Sequence, residues 1–195
     1  MSPRSRQVND AIRAESRARI LEHALEQFAA NGYDRTTIRA IAKSAGISQG
    51  LIYNYFASKD ALLRAIFEQS MQDVQESFQR AEEAPPGQRT VALVRAAFEL
   101  LERNQRFWRL SYGVRMQAPV LSDLGDGLQR WTETITRTLR GYLQEDGFDE
   151  PKLEARVLFA LIDGVAQHYV LDPAGYPLEE VVERIVSWYA TSGHS

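Results

Sequence analysis

The chain contains no cysteine and only three histidines among its 195 residues. The first absence excludes a disulfide framework and a thiolate metal site. His23, His168 and His194 lie too far apart to form a recognisable ligand spacing, so neither a metal nor a cofactor is expected. No apolar run approaches the roughly 20 residues needed to cross a bilayer. Residues 1–19 are studded with Arg and polar groups and lack the apolar core of a signal peptide. The expectation is a cytoplasmic protein with no membrane partner. Catalytic signatures are also missing: there is no Ser/His/Asp set, HExxH run, phosphate loop or paired-carboxylate motif. Asp163 and His168 stand five apart, which does not stack them on one helix face, so an enzyme is not expected. Alternating strand patterns, internal repeats and low-complexity tracts are absent as well.

Charge is scarce in net terms but unevenly spread. The formal total is −3. Residues 1–60 carry 9 Lys and Arg against 6 Asp and Glu, whereas residues 61–195 carry 14 against 20. A mildly basic N-terminal third on an acidic body is the pattern of a nucleic-acid footprint.

What is abundant is helical periodicity: apolar residues recur at steps of three and four nearly everywhere. Ile20, Leu21, Ala24, Leu25 and Phe28 make one face of a first helix, which Asn31-Gly32 stops. Residues 1–9 read as a frayed tail. Thr36 or Thr37 can cap a second helix over about 37–44, and Gly46 breaks it. Ser48 caps a third over about 48–54. Ser58 caps a fourth that runs to about 83, with Asp60 in its first turn, where the helix dipole favours an acid. Pro85-Pro86-Gly87 ends it. Further helices are predicted near 88–104 and 105–117, with Pro119 and Gly125 as interruptions. Others follow over about 125–146, 152–171 and 178–191. The fold class is all-α: an N-terminal three-helix domain over 10–56 and a C-terminal helical domain over 57–195.

The segment TTIRAIAKSAGISQGLIYNYFASK, from Thr36 to Lys59, carries the function. Two short helices flank a tight turn. Ala42 is small where the helices approach, and Gly46 is permissive where the backbone turns. Ile41, Ile47 and Ile52 fix the angle between the helices. This is a helix-turn-helix, whose second helix enters the major groove. The exposed positions of that helix are Ser48, Gln49, Gly50, Leu51, Tyr53 and Asn54, mostly small or hydrogen-bonding. Gln suits adenine.

The flanking sequence adds FAANGYDRTT at the end of the first helix, IRAIAKSAGIS, and GLIYNYFASKDALL with its aromatic run, Lys, acid and Leu pair. From about Ile20 to Phe67 the chain resembles the TetR family of bacterial transcriptional regulators. The resemblance implies that Thr36 and Thr37 lie near the DNA backbone. It makes Arg39 a base-contacting candidate and Ser48, Gln49 and Gly50 the start of the recognition helix. It also implies phosphate contacts from Tyr53 and Lys59. Tyr55 stands where the family often has His, so its role is open between hydrogen bonding and core packing. Phosphate contacts position the protein, while Arg39, Gln49 and Leu51 specify sequence. Arg4 and Arg6 are candidates for a minor-groove arm.

The resemblance also implies a homodimer on a palindromic double-stranded operator, with the helices near 125–146 and 152–171 as the pairing elements. Ala155, Ala160 and Gly164 permit close crossing there. Family members commonly hold a small-molecule effector in the C-terminal body. Candidate lining residues are Phe107, Trp108, Tyr112, Met116, Trp131, Phe159, Asp163, His168 and Tyr169. Aromatic walls favour an apolar or aromatic effector. Ligand binding then shifts the dimer toward a state unfit for the operator, which releases DNA. Repression is the family's commoner mode. An activator of the same fold, or a helical sensor that does not bind DNA, are the alternatives.

Overall fold

A computed structural model describes residues 3–115 and 118–191, with side chains over 8–115 and 129–190. The described residues form helices and connecting turns only: α1 (Pro3–Asn31), α2 (Ile38–Ala45), α3 (Gln49–Tyr53), α4 (Lys59–Glu82), α5 (Arg89–Arg103), α6 (Gln105–Arg115), α7 (Ala118–Glu145), α8 (Pro151–Leu171) and α9 (Leu178–Thr191). The all-α expectation holds. The chain divides into two compact units, Met1–Ser70 and Met71–Ser195.

Two helices are longer than the sequence pattern suggests. α1 begins at Pro3 rather than after a frayed tail. Proline is tolerated in a first helical turn, because its missing N–H has no partner there in any case. The Arg, Gln, Ala and Glu residues that follow are good helix formers. α7 begins at Ala118 and runs through Pro119 and Gly125, both expected as breaks. Pro119 again falls in the first turn, and a single interior glycine costs only about 1 kcal/mol.

In the first unit Ile20, Leu21, Ala24 and Phe28 of α1 are buried with Ile41, Ala42 and Ala45 of α2, Ile52 of α3, Phe56, and Leu62, Leu63, Ile66 and Phe67 of α4. The caps are local and readable. Thr37 accepts from the Ala40 N–H, Ser48 from Leu51 and Ser58 from Ala61, each within 3.1–3.2 Å. α2 ends in a left-handed residue, Gly46 at φ +66°, and the Ile47 N–H reaches back to the Ala42 carbonyl. The Arg19 guanidinium donates to the Ala45 carbonyl at 3.0 Å, satisfying another orphan acceptor at this end.

The second unit packs α7 and α8 against each other, with α5, α6 and α9 around them. Its core joins Leu93, Val94 and Leu101 of α5 to Leu139 and Leu143 of α7, Leu158 of α8 and Ile185 of α9. Phe148 stacks on Tyr189 with ring centroids 5.7 Å apart, closing the α7–α8 turn over α9. Arg89 pairs with Glu145, and Arg95 with Glu183, at the surface.

Gly46 has no heavy atom within 4 Å of where a Cβ would stand, so its requirement is conformational alone. Gly46→Ala is expected to destabilise the protein by about 1–2 kcal/mol, the cost of a Cβ in the left-handed region. Chemical denaturation would show this as a lower midpoint with an unchanged slope; an unaltered midpoint would contradict it.

Candidate nucleic-acid interface and ligand cavity

α2 and α3 present one polar surface. Ile52 is fully buried and fixes the roll of α3, while Ser48, Gln49, Gly50, Tyr53 and Asn54 are exposed and Leu51 is half-buried. Arg39 and Thr37 are exposed on the neighbouring helix. A Cβ on Gly50 would meet only Ser48 Oγ, at 3.9 Å, so nothing inside the protein requires glycine there. Tyr53, at 54% exposure, is a large aromatic with its face in solvent.

Several residues named from sequence sit elsewhere than expected. Thr36 is not on the surface: it is buried, and its hydroxyl donates to the carbonyls of Gln27 and Gly32 at 3.0 and 2.8 Å. Its side chain therefore has no reach to a phosphate, and Thr37 alone is the cap. Lys59 folds inward. Its Nζ donates to the carbonyls of Tyr33, Asp34 and Thr36 at 2.9, 3.3 and 3.2 Å, and it stands 4.2 Å from the Tyr33 ring centroid. All three ammonium protons have protein acceptors, so the expected phosphate contact has no proton left to it in this arrangement. Tyr55 is half-buried, with the Arg13 guanidinium over its ring, and Arg17 lies over Phe56. Those two arginines were not singled out from sequence. Their 13/17 spacing on a helix was the available signal. The side chains of Arg4 and Arg6 lie outside the described residues.

The second unit holds a cavity among α4, α5, α6, α7 and α8. With its mouth it encloses about 630 Å³, of which about 60 Å³ admits the centre of a water molecule. Trp108, Tyr112, Trp131, Phe159 and Asp163 line it, as expected. Phe107, His168 and Tyr169 do not. Phe107 is buried and packs edge-on against Trp108. Tyr169 is buried too and accepts from Gln105 at 2.8 Å. His168 is exposed and stacks on Tyr176. Met116 lies outside the described residues. The wall also takes Val74, Ser77 and Phe78 from α4 and Phe98 from α5, which sequence reasoning missed. Ser77 in an otherwise apolar row of α4 was the one hint.

The only carboxylate on this wall among the described residues is compensated. Arg115 donates to Asp163 Oδ1 at 2.8 Å, and the Tyr112 hydroxyl reaches the Asp163 carbonyl and carboxylate at 3.2 and 3.3 Å. Burial, and then the neighbouring Asp163 charge, push the Tyr112 phenol well above its ordinary range. It therefore acts as a donor at any physiological pH.

Comparison with known proteins places both units. Residues 20–66 match the family model of bacterial regulatory proteins, tetR family, and residues 86–192 match that of the BetI-type transcriptional repressor, C-terminal. The HTH-type transcriptional regulator BetI 1 of Chromohalobacter salexigens is 28% identical over 170 residues, covering 84% of this chain and 83% of its own. The fatty acid metabolism regulator protein of Bacillus subtilis is 24% identical over 189 residues, covering 86% and 92%. A crystal structure of the Bacillus subtilis transcriptional regulator FadR in complex with stearoyl-CoA superposes with a TM-score of 0.74 at 21% identity, over 90% of this chain and 98% of that one.

The Lys59 geometry makes a separable prediction. Lys59→Met is expected to lower stability by about 1–3 kcal/mol, because buried carbonyls lose their donor. In contrast, the slope of log affinity for duplex DNA against log salt should stay as it is. Loss of a phosphate contact would instead reduce that slope by about 0.9. Denaturation and a salt titration of DNA binding, run on the same variant, distinguish the two.

Proposed function

The chain belongs to the TetR family of bacterial regulatory proteins, and from that premise we propose that it is a repressor. In this reading it holds a palindromic operator as a dimer and releases it when a small apolar effector enters the second unit. It binds DNA through the helix-turn-helix of its N-terminal unit and acts in the cytoplasm, where bacterial DNA lies. The observation that carries the reading is the division of α3: Ile52 is buried in the core, and Gln49, Gly50 and Tyr53 are left on the outside. Gln49 is the base reader, through a bidentate pair to adenine. Arg39 and Leu51 assist in readout, and Thr37 and Tyr53 hold phosphate. Ser48, Gly50 and Asn54 complete the surface, Tyr55 supports it from behind with Arg13, and Lys59 braces it.

A five-residue recognition helix touches few base pairs, so specific affinity requires two copies. The pairing surface favoured by exposure differs from the one the sequence suggested. On α7 the apolar seam of Ile135, Leu139 and Leu143 is buried within the protomer, and Arg130, Glu133, Arg137 and Arg140 face outward. Leu153 and Val157 of α8 and Trp188 of α9 are instead about half exposed, and Val157, Leu161, Phe148 and Trp188 share one shallow groove. We assign the twofold interface to α8 and α9, the same patch meeting itself.

The effector site is the cavity bounded by Trp108, Trp131 and Phe159. Its walls are almost wholly apolar, which suits an apolar ligand, and a protein of the same fold holds stearoyl-CoA. A ligand that binds one state of the dimer more tightly than the other shifts the population toward it.

Selection of bound duplexes from a random pool tests the main claim. The expected product is a twofold-symmetric sequence with half-sites about one helical turn or somewhat more apart. Gln49→Ala should weaken binding by about 1–3 kcal/mol and relax preference at one position in each half-site. Failure to enrich any sequence would leave a sensor that does not act on DNA. For the dimer, Val157→Arg places a charge in the apolar face. Light scattering should then report a monomer, with operator affinity lost while the helical content is kept; a dimer of unchanged mass would move the interface elsewhere.

A further inference from the structure

Two indoles on the cavity wall carry an unused chemistry. The Nε1–H groups of Trp108 and Trp131 are both buried, and neither has a hydrogen-bond acceptor among the described residues. Their rings lie 6.2 Å apart, one on α6 and one on α7, and both rings line the cavity. An indole N–H is a donor only, so no rearrangement of its own proton can satisfy it. A buried donor without an acceptor is costly and is uncommon in native proteins. Two such donors, in neighbouring rings that line one cavity, are two hydrogen bonds left for an acceptor that displaces the atoms now covering them.

The other polar groups of the wall, among the described residues, are already engaged. Tyr112 donates to Asp163, and the Ser77 hydroxyl donates to the Asp73 carbonyl at 3.0 Å. The Asp163 carboxylate takes the Arg115 guanidinium. A cationic ligand would have to compete with Arg115 for that carboxylate, and an anionic one would face it. The remaining surface is aliphatic and aromatic, including Phe78, Phe98, Phe159 and Leu139.

Resting on the effector-cavity reading above, we propose that the effector is an uncharged apolar molecule bearing a carbonyl or comparable acceptor, which Trp108 and Trp131 bind by their indole N–H groups. The aromatic rings then recognise the apolar body, and the pair of donors sets its orientation.

The chain has three tryptophans, and the third, Trp188, is about half exposed on α9, outside the residues lining the cavity. Three indole N–H signals in a proton–nitrogen correlation spectrum of the full-length protein therefore report on the proposal directly. The probes are acetophenone, ethylbenzene of the same shape without the acceptor, and the phenyltrimethylammonium ion. Acetophenone should move the Trp108 and Trp131 signals downfield and leave Trp188 in place. It should bind about threefold to tenfold more tightly than ethylbenzene, the span of one net neutral hydrogen bond. Trp108→Phe and Trp131→Phe keep an aromatic ring and remove the donor, so each should reduce that preference and the double variant abolish it. Equal binding of acetophenone and ethylbenzene without downfield shifts would overturn the acceptor while leaving the cavity as the effector site. Tightest binding by phenyltrimethylammonium would overturn it in favour of a cation cage. If none of the three perturbs either cavity tryptophan, the cavity reading itself falls and the acceptor falls with it.

Discussion

The N-terminal unit depends on how the chain leaves α1. Between Asn31 and Ile38 the backbone turns without helix or sheet to take its carbonyls, and three of them are gathered onto one ammonium, Lys59 Nζ. The same lysine rests over the Tyr33 ring, the Tyr33 hydroxyl donates to Asp60, and Tyr33 packs on Phe28. The end of α1, the start of α2 and the first turn of α4 are thereby joined at one point. Thr36 closes the inner side by donating to Gln27 and Gly32. Beside that junction Ile41 and Ile52 are fully buried, and the polar side of α3 is left outward. The recognition surface follows from a cation that never reaches it.

The second unit solves a different problem, that of keeping a carboxylate beside an apolar cavity. Asp163 is tolerated because Arg115 and Tyr112 both serve it, and the Arg115 guanidinium also lies over the Tyr112 ring. Such a group costs its desolvation unless paired and hydrogen-bonded. Compensation within the protein leaves the wall electrically quiet, so selectivity passes to shape and to the indole donors. It also ties α6 to α8 on one side of the cavity, while Trp108 and Trp131 face each other across α6 and α7.

Much of this was legible in the sequence because it is local. Ser48 and Ser58 cap the helices they precede, and Gly46 takes the left-handed turn its position demands. The TetR resemblance and the division of α3 into one buried and several exposed residues were equally readable. What failed was settled by distant partners. Thr36 and Thr37 are chemically alike and adjacent, and the carbonyls of Gln27 and Gly32, nine and four residues back, draw Thr36 alone inward. Lys59 reads as a surface cation until three backbone carbonyls without sequence signature appear around it. Adjacent Phe107 and Trp108 part ways because successive helical side chains are turned by about 100°. A list by aromatic character alone cannot say which of them meets the cavity. α7 shows the same limit: its apolar seam announces burial, but not whether the partner is its own chain or a second copy.

The small interior of the cavity bears on how a signal could be transmitted. An enclosed interior of roughly 60 Å³ is far less than an extended acyl chain or a multi-ring molecule needs. A larger effector therefore cannot enter without displacing part of the wall. That wall is built from α4, α5, α6, α7 and α8, with core side chains such as Leu93, Leu101 and Leu139 among its lining. Close-packed interiors do not deform gradually; they repack into discrete alternatives. To move the dimer from one such alternative to the other almost completely, the effector must bind the second about 10⁴-fold more tightly. Contacts present only after the wall has opened supply that difference naturally, since the closed cavity cannot make them at all. For an effector of that larger kind, binding and rearrangement would be the same event.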